Sequence, residues 1–219
     1  MEFRDLKAQY QRYKTEIDNA IQEVLQDASF ISGKQVAELE GLLAEYVGVK
    51  HCITCANGTD AMTLMMKAWG IKKGDAVFVP DFTFFASGEV VSYEGATPVF
   101  VDVDRDTFNI DTVKLEKSIQ KTIEEGKYSP KAIIAVDLFG LPANYPEIER
   151  IAKHYGLKVL EDGAQGFGGR IGDREACSFG DAATTSFFPA KPVGCYGDGG
   201  AVFTNDDDVA KLLRSIIVH

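Results

Sequence analysis

A lysine in a rigid turn is the residue of this sequence best suited to covalent chemistry. Lys191 stands between Pro189-Ala190 and Pro192, and the aromatic pair Phe187-Phe188 precedes it. A constrained and locally desolvated amine is suited to Schiff-base formation with a carbonyl compound. The glycines at 197, 199 and 200 lack the spacing of a nucleotide-binding loop and do not open a strand–helix–strand unit. We therefore assign this segment to amine chemistry.

A second segment is suited to binding an anion. In Cys55-Ala56-Asn57-Gly58-Thr59-Asp60, a predicted strand passes through a glycine turn into a predicted helix. Gly58 allows a ligand to approach the backbone, and Thr59 offers a hydroxyl beside the free N–H groups of the helix N-terminus. Such a turn is a natural phosphate site. The alternative is a helix cap with no ligand, and the motif alone favours that alternative.

Acidic and aromatic residues follow two other predicted strands. Glu161 and Asp162 close an apolar strand, and a carboxylate there can keep a pyridine nitrogen protonated. The alternative is that the acid caps the next turn. Phe82, Phe84 and Phe85 follow another strand, where one ring can stack on a flat heterocycle. We expect Phe82 and Phe85 to belong to the core.

The chain alternates between strands and helices, and each of these segments follows or ends a strand. The predicted strands cover residues 52–55, 76–80, 98–103, 132–138, 158–161, 183–187 and 200–204. Apolar periodicity predicts helices over residues 16–26, 35–47, 59–69, 85–93, 111–125 and 145–155. Residues 132–136 are apolar on both faces, which is typical of a parallel strand covered by helices on both sides.

This alternation predicts a three-layer α/β/α fold with a mostly parallel sheet of seven strands. Ligands of such sheets bind beyond the carboxyl ends of the strands, where the four segments would meet. A phosphate turn, a ring stacker, an acid for a pyridine nitrogen and a constrained lysine together describe a site for pyridoxal 5′-phosphate.

The composition excludes several other classes of function. The 219 residues include 23 Lys and Arg against 33 Asp and Glu, for a net charge of −10, with no basic run. Nucleic acid is therefore not an expected partner. The charged N-terminus lacks a signal sequence, and no stretch approaches the roughly 20 apolar residues that cross a membrane. Four cysteines without a signal sequence predict reduced thiols and a cytoplasmic location.

Cys52 and Cys55 have the CxxC spacing of redox sites and of half a zinc site. They lie in His51-Cys52-Ile53-Thr54-Cys55-Ala56, which predicts a buried strand, and no second CxxC follows. A motif without its structural context is weak evidence, so we expect no metal site there.

The sequence resembles the DegT/DnrJ/EryC1/StrS family of sugar aminotransferases, which have the fold of aspartate aminotransferase. The resemblance covers the whole chain and implies the large domain of a pyridoxal-phosphate transferase of fold type I. Its three motifs occur in the order and spacing of the family: Asn57-Gly58-Thr59-Asp60-Ala61, Glu161-Asp162-x-Ala164-Gln165 and Ser186-Phe187-Phe188-Pro189-x-Lys191.

The resemblance implies a role for each matching residue. Lys191 would form the internal aldimine with pyridoxal 5′-phosphate and then move a proton between the cofactor and substrate carbons. Asp162 would pair with the pyridinium nitrogen, Phe84 would stack on the ring, and Gln165 would lie beside its phenolic side. The phosphate would be held by Gly58, Thr59 and Ser186. Lysine at position 191 implies transamination, because the dehydratase branch of the family has histidine there.

Residues 186–201 are most similar to the branch that aminates UDP-2-acetamido-3-keto-glucuronic acid for bacterial surface polysaccharides. The resemblance implies that glutamate supplies the amino group and that the C3 ketone of the sugar receives it. Phe30 would border the sugar. Two positions depart from the pattern: Gly163 replaces the usual alanine, and Ala190 stands where that branch often has serine.

Family members continue well beyond this length into a small C-terminal domain, which we expect to be absent here. We expect residues 1–48 to form a helical segment that packs on the large domain, and residues 49–219 to form the cofactor-binding large domain. The resemblance also implies a homodimer with shared active sites. Two hypotheses stay open: an active nucleotide-sugar aminotransferase, and a truncated non-catalytic fragment that binds the cofactor or a partner. A plain nucleotide-binding module would leave Lys191 between prolines unexplained.

Overall fold

The sheet predicted from the sequence is present in the computed structural model, which describes residues 4–217. The strands of this sheet are β1 (His51–Cys55), β2 (Asp75–Pro80), β3 (Thr97–Val101), β4 (Ser129–Val136), β5 (Lys158–Asp162), β8 (Ala182–Ser186) and β9 (Gly200–Thr204). A small hairpin of β6 (Arg170–Ile171) and β7 (Arg174–Glu175) lies outside the sheet. The sequence pattern did not predict this hairpin, because two-residue strands carry no periodicity.

The seven strands have the spatial order β1-β9-β8-β5-β4-β2-β3. Every pair from β8 to β3 is parallel, whereas β9 is antiparallel to both of its neighbours. The prediction of a mostly parallel seven-stranded sheet is therefore confirmed. Because β1 runs in the same direction as β8, the carboxyl ends of six strands and the start of β9 share one edge of the sheet.

The helices of the described part of the chain are α1 (Leu6–Asp27), α2 (Lys34–Val47), α3 (Gly58–Ala68), α4 (Ala86–Tyr93), α5 (Thr112–Glu125), α6 (Tyr145–Tyr155) and α7 (Asp207–Ile216). Helix α1 begins ten residues before its predicted start, because Asp5 caps it and its first turns carry charge rather than an apolar stripe. Helix α7 was not predicted, although Asp206 caps it and Ala210 and Leu213 form its buried stripe.

Apolar clusters on both faces of the sheet confirm the three-layer arrangement. Ile134 faces the layer of α3, α4 and α7, where Met65 and Val90 are buried. The neighbouring Ile133 faces the layer of α5 and α6, where Ile119 is buried. This alternation within β4 explains why its sequence is apolar on both faces.

Helix α2 packs on the β1 and β9 end of the sheet. Leu43 and Val47 lie in one buried cluster with Cys52 and Phe203. Glu40 adds polar contacts, because one carboxylate oxygen accepts the N–H of Thr54 at 2.8 Å and the other accepts Arg214 Nη2 at 2.9 Å. These contacts join α2 to β1 and α7.

Helix α1 has no buried residue. The proposed boundary between residues 48 and 49 stays a prediction. The outer ends of the two predicted segments, residues 1–3 and 218–219, lie outside the described residues. Among residues 4–217, no helix is long and apolar enough to cross a membrane.

Candidate active site

Four strand ends meet at the shared edge of the sheet, as the sequence predicted. A close approach joins α3 to β8, where a Cβ added to Gly58 would lie only 2.8 Å from Ser186 Cβ. A Cβ at Gly200, the first residue of β9, would overlap the backbone of Asn57. Glycine is therefore required at both positions for the turn to lie against β8 and β9.

The turn before α3 leaves donors available for an anion. Asn57 caps the helix, because its side-chain oxygen accepts the N–H of Asp60 at 2.8 Å. The N–H groups of Gly58 and Thr59 have no carbonyl partner within the helix and point from its positive end. Ser186 Oγ accepts the N–H of Phe188 at 3.2 Å, so its own hydroxyl hydrogen remains available to donate. Capping and anion binding are thus compatible in this turn.

Asp162, at the end of β5, is a buried carboxylate with neutral hydrogen-bond donors. Its Oδ1 accepts the N–H of Ala164 and its Oδ2 accepts the Ser87 hydroxyl, both at 3.2 Å. Burial raises the pKa of Asp162, whereas the two donors and the positive charge of Lys191 oppose that rise. The side chain is therefore suited to pairing with a cation such as a protonated ring nitrogen.

Lys191 lies in the loop between β8 and β9, and its backbone is held on both sides. Its N–H donates to the carbonyl of Phe188 at 2.8 Å, and its own carbonyl accepts Arg4 Nη1 at 3.0 Å. The loop is closed at its base, where the N–H of Cys195 donates to the carbonyl of Phe187 at 2.8 Å. The positive charge of Lys191 also acts on the Asp162 carboxyl group, where it opposes the rise in pKa that burial causes.

Gln165 is fixed by the end of β4. Its Oε1 accepts the N–H of Phe139 at 2.9 Å, in the 3-10 turn Leu138–Gly140. Because the carbonyl end of the carboxamide is occupied, the Nε2 donors are the end that remains for a ligand. A donor in this place suits an anionic or phenolic oxygen.

The aromatic segment after β2 differs from its prediction in one respect. Phe82 and Phe85 were expected in the core, but they are 50% and 76% exposed, so that interpretation is wrong. The segment lies past the strand end, beyond the helices that cover the sheet. Phe82 instead packs near Phe108 and Phe139, with ring centroids 5.7 and 6.4 Å away.

Phe84 and Phe30 are the two remaining predicted contacts. Phe84 is 68% exposed beside the strand ends, so its ring is free to cover a ligand. Phe30 is 66% exposed in the segment between α1 and α2. No aromatic pair within residues 4–217 joins Phe30 to the strand-end residues, and both roles stay predictions.

The CxxC pair of β1 lies in the predicted strand. Cys52 is buried and Cys55 is half-buried, and both are free thiols. Burial raises the pKa of Cys55 to about 12 and raises that of Cys52 further. Burial therefore favours the neutral thiol over the nucleophilic thiolate at both positions.

A buried acid pair beneath the site was not anticipated from the sequence. Asp137, just after β4, accepts the Tyr145 hydroxyl at 2.7 Å and acts electrostatically on Glu161, whose two oxygens accept the N–H groups of Cys177 and Phe179 at 2.5 and 2.7 Å. Burial raises the pKa of Asp137 to about 6 and raises that of Glu161 well above its usual range. Burial therefore favours the protonated form of both carboxyl groups. The sequence signal that could have indicated this pair was an acidic residue at the end of an apolar strand.

This pair predicts a specific dependence of stability on pH. A carboxyl group whose pKa is higher in the folded state stabilises the fold below its unfolded pKa, and this contribution is lost as the pH rises through the folded value. For Asp137 the loss is about 3 kcal/mol between about pH 4 and pH 7. Asp137→Asn is expected to flatten this decline by about 2 kcal/mol, as measured by urea unfolding at several pH values.

The matched control for this prediction is Asp173→Asn, which removes an exposed carboxyl group in the turn between β6 and β7. The control is expected to unfold with the pH profile of the unsubstituted chain. Parallel profiles for the unsubstituted chain and Asp137→Asn would contradict a raised pKa for Asp137 in the folded state.

The structure also explains the glycine that departs from the family pattern. A Cβ at Gly163 would lie 2.5 Å from Cys177 Sγ and 3.3 Å from the carbonyl oxygen of Thr184. Cys177 is fully buried, so its sulfur fills the space that an alanine methyl group would occupy. Gly163 and Cys177 are therefore a size-matched pair next to Asp162.

Gly163→Ala is expected to lower the free energy of unfolding by about 1–3 kcal/mol, because it overpacks this space. Adding Cys177→Ala is expected to recover at least half of the loss, which a double-mutant cycle in urea measures. The control Gly41→Ala, which meets nothing within 4 Å in helix α2, should stabilise the chain slightly. Additive effects at positions 163 and 177 would contradict this account.

Solved structures with this arrangement of sheet and strand ends include an aminotransferase. A DegT DnrJ EryC1 StrS aminotransferase from Brucella abortus superposes with a TM-score of 0.97 at 52% identity, covering 99% of this chain and 58% of that one. The ntda protein of Bacillus subtilis, solved with bound cofactor PMP, superposes with a TM-score of 0.84 at 33% identity, covering 92% and 44%. The fold is thus that of the aminotransferase large domain.

The chain belongs to the DegT/DnrJ/EryC1/StrS aminotransferase family, which it matches over residues 11–219. One relative, the UDP-2-acetamido-2-deoxy-3-oxo-D-glucuronate aminotransferase of Pseudomonas aeruginosa, is 48% identical over all 219 residues. The chain spans 59% of the length of that relative. The family predicted from the three motifs is therefore confirmed.

Proposed function

We propose that this chain carries the cofactor-binding part of an aminotransferase that uses pyridoxal 5′-phosphate. The enzyme moves an amino group from glutamate to the keto carbon of a nucleotide-linked sugar, for surface polysaccharide biosynthesis. The observation that carries the proposal is the buried Asp162 carboxylate, held by neutral donors and within electrostatic reach of Lys191. It lies at the sheet edge that also carries the Gly58–Ser186 turn.

The residues at this edge fit the cofactor group by group. The N-terminus of α3 and the Ser186 hydroxyl suit the phosphate. Asp162 suits a protonated ring nitrogen, and the Nε2 donors of Gln165 suit the phenolic oxygen. The Bacillus subtilis neighbour, solved with PMP, supports this assignment.

Each residue then has a defined task in the reaction. When bound, the cofactor would supply an electron sink for the chemistry at the neighbouring carbon atom. Asp162 holds the proton at the ring nitrogen, which keeps that sink effective. Gly58, Thr59 and Ser186 bind the phosphate and fix the ring against the sheet edge.

Lys191 has two tasks in this proposal. Its Nζ would hold the cofactor covalently, and the same amine would carry the proton between carbon atoms. The hydrogen bonds at its backbone N–H and carbonyl hold the loop while the long side chain moves. Phe84 covers the ring face and Phe30 borders the sugar, in keeping with their exposure.

The proposed acceptor is C3 of a UDP-2-acetamido-3-keto-hexuronic acid. The name of the Pseudomonas aeruginosa relative, which specifies a 3-oxo glucuronate sugar, supports this choice. We also propose a homodimer with shared active sites. The exposed rings of Phe82, Phe108 and Phe139 beside the strand ends support it, because apolar patches of this kind are commonly covered by a partner.

The test is to incubate the chain with pyridoxal 5′-phosphate, glutamate and the UDP-linked 3-keto sugar acid. Formation of 2-oxoglutarate and of the 3-amino sugar, measured by mass spectrometry, would support the full proposal. Omitting glutamate is the control and should give neither product. Cofactor binding without amine transfer would favour the non-catalytic fragment, and the absence of cofactor binding would contradict the proposal.

A further inference from the structure

Two hydroxyl groups, joined by a hydrogen bond, connect the segment after β2 to the Asp162 carboxylate. Ser87 Oγ lies 3.2 Å from Asp162 Oδ2, and Thr83 Oγ1 lies 3.0 Å from Ser87 Oγ. Ser87 is fully buried in the first turn of α4, and Thr83 is half-buried in the segment before that helix. The proposed function assigns no task to either residue.

The direction of both hydrogen bonds is fixed when Asp162 is ionised. An ionised carboxylate only accepts hydrogen bonds, so the Ser87 hydroxyl must donate its hydrogen to Asp162. Ser87 Oγ is then free to accept from Thr83, whose hydroxyl donates in turn. Each hydroxyl group therefore stabilises the negative charge on Asp162.

The two hydroxyl groups also connect two parts of the site that are not neighbours in the sheet. Thr83 lies between Phe82 and Phe84 in the segment after β2, whereas Asp162 ends β5. Strand β4 separates β2 from β5 in the sheet, so no strand pairing sets the position of one relative to the other. The start of α4 spans this gap through Ser87.

The second oxygen of Asp162 is held from its own strand end, by the N–H of Ala164. With one donor on each oxygen, from two different elements, the plane of the carboxylate is fixed. Loss of the Ser87 hydroxyl would leave Asp162 a single donor, and the carboxylate could then rotate about its Cβ–Cγ bond.

We propose that Ser87 and Thr83 are positioning residues, which orient the Asp162 carboxylate toward the ring nitrogen of the cofactor. The inference rests on the proposed function, because Asp162 must pair with that nitrogen. Beyond that pairing, the orientation of the carboxylate is assigned to the hydroxyl groups of α4 and of the segment after β2. Neither residue contacts the reacting atoms in this account.

The experiment compares two ligands that differ only at the ring nitrogen. Dissociation constants of the full chain are measured for pyridoxal 5′-phosphate and for its analogue with C–H in place of that nitrogen. The unsubstituted chain is expected to prefer the natural cofactor. Ser87→Ala is expected to reduce this preference about five- to tenfold, and Thr83→Val should reduce it in the same direction by less.

The hydroxyl-retaining variants Ser87→Thr and Thr83→Ser are the matched controls and should keep the preference. Equal weakening of both ligands in Ser87→Ala would indicate a merely structural role and overturn the inference, as would an unchanged preference. If the unsubstituted chain binds both ligands equally, pairing at the nitrogen is absent and the inference fails while cofactor binding stands. Failure to bind either ligand would overturn the proposed function and the inference with it.

Discussion

Replacing Lys191 with alanine is expected to abolish the covalent capture of pyridoxal 5′-phosphate by this chain. The amine is the group that forms the bond, and the described structure places no other lysine in the loop between β8 and β9. Release of 2-oxoglutarate from glutamate should fall by about 10³-fold or more, because the proton carrier is lost together with the attachment point. Borohydride reduction followed by mass spectrometry measures the capture directly.

The matched control is Lys191→Arg, which keeps the positive charge near Asp162 but lacks a nucleophilic amine. This variant should bind the cofactor reversibly and show no reduced adduct. Undiminished capture in Lys191→Ala would place the attachment on another lysine and contradict the assignment.

Asp162→Asn is expected to reduce amine transfer about 10²- to 10³-fold, because an amide cannot hold the ring nitrogen protonated. Burial disfavours the charged form of Asp162, so the same substitution should leave the cofactor-free chain at least as stable. The combination of lost activity with retained stability separates a role in chemistry from a role in folding. Single-turnover kinetics with glutamate and urea unfolding measure the two effects.

The control for this prediction is Asp137→Asn, which also neutralises a buried carboxyl group at this end of the sheet. Asp137 faces Glu161 and Tyr145 rather than the site, so most of the rate should remain. An equal loss of rate in both variants would mean that Asp162 acts through general electrostatics and not through a specific pair.

The strands and most helices could be predicted because their signals are local. Apolar runs such as residues 132–136 and glycine turns such as that at Gly58 depend on neighbouring residues alone. The convergence of the site also followed from a local rule, since parallel strands place their carboxyl ends at one edge.

The features that sequence reasoning missed depend on contacts between distant residues. Ser87 and Asp162 are 75 residues apart, and only the packing of α4 over the sheet brings them together. The exposure of Phe82 and Phe85 follows from where the covering helices end, which periodicity does not report. The match between Gly163 and Cys177 likewise depends on tertiary packing and not on either residue alone.

The most direct test of the proposed function is the visible spectrum of the purified chain with pyridoxal 5′-phosphate, before and after glutamate. We predict a visible absorbance from the bound cofactor, absent in Lys191→Ala, which glutamate bleaches as the amino group is transferred. A visible absorbance that persists unchanged with glutamate would contradict amine transfer by this chain. The absence of any such absorbance in the unsubstituted chain would contradict the cofactor site itself.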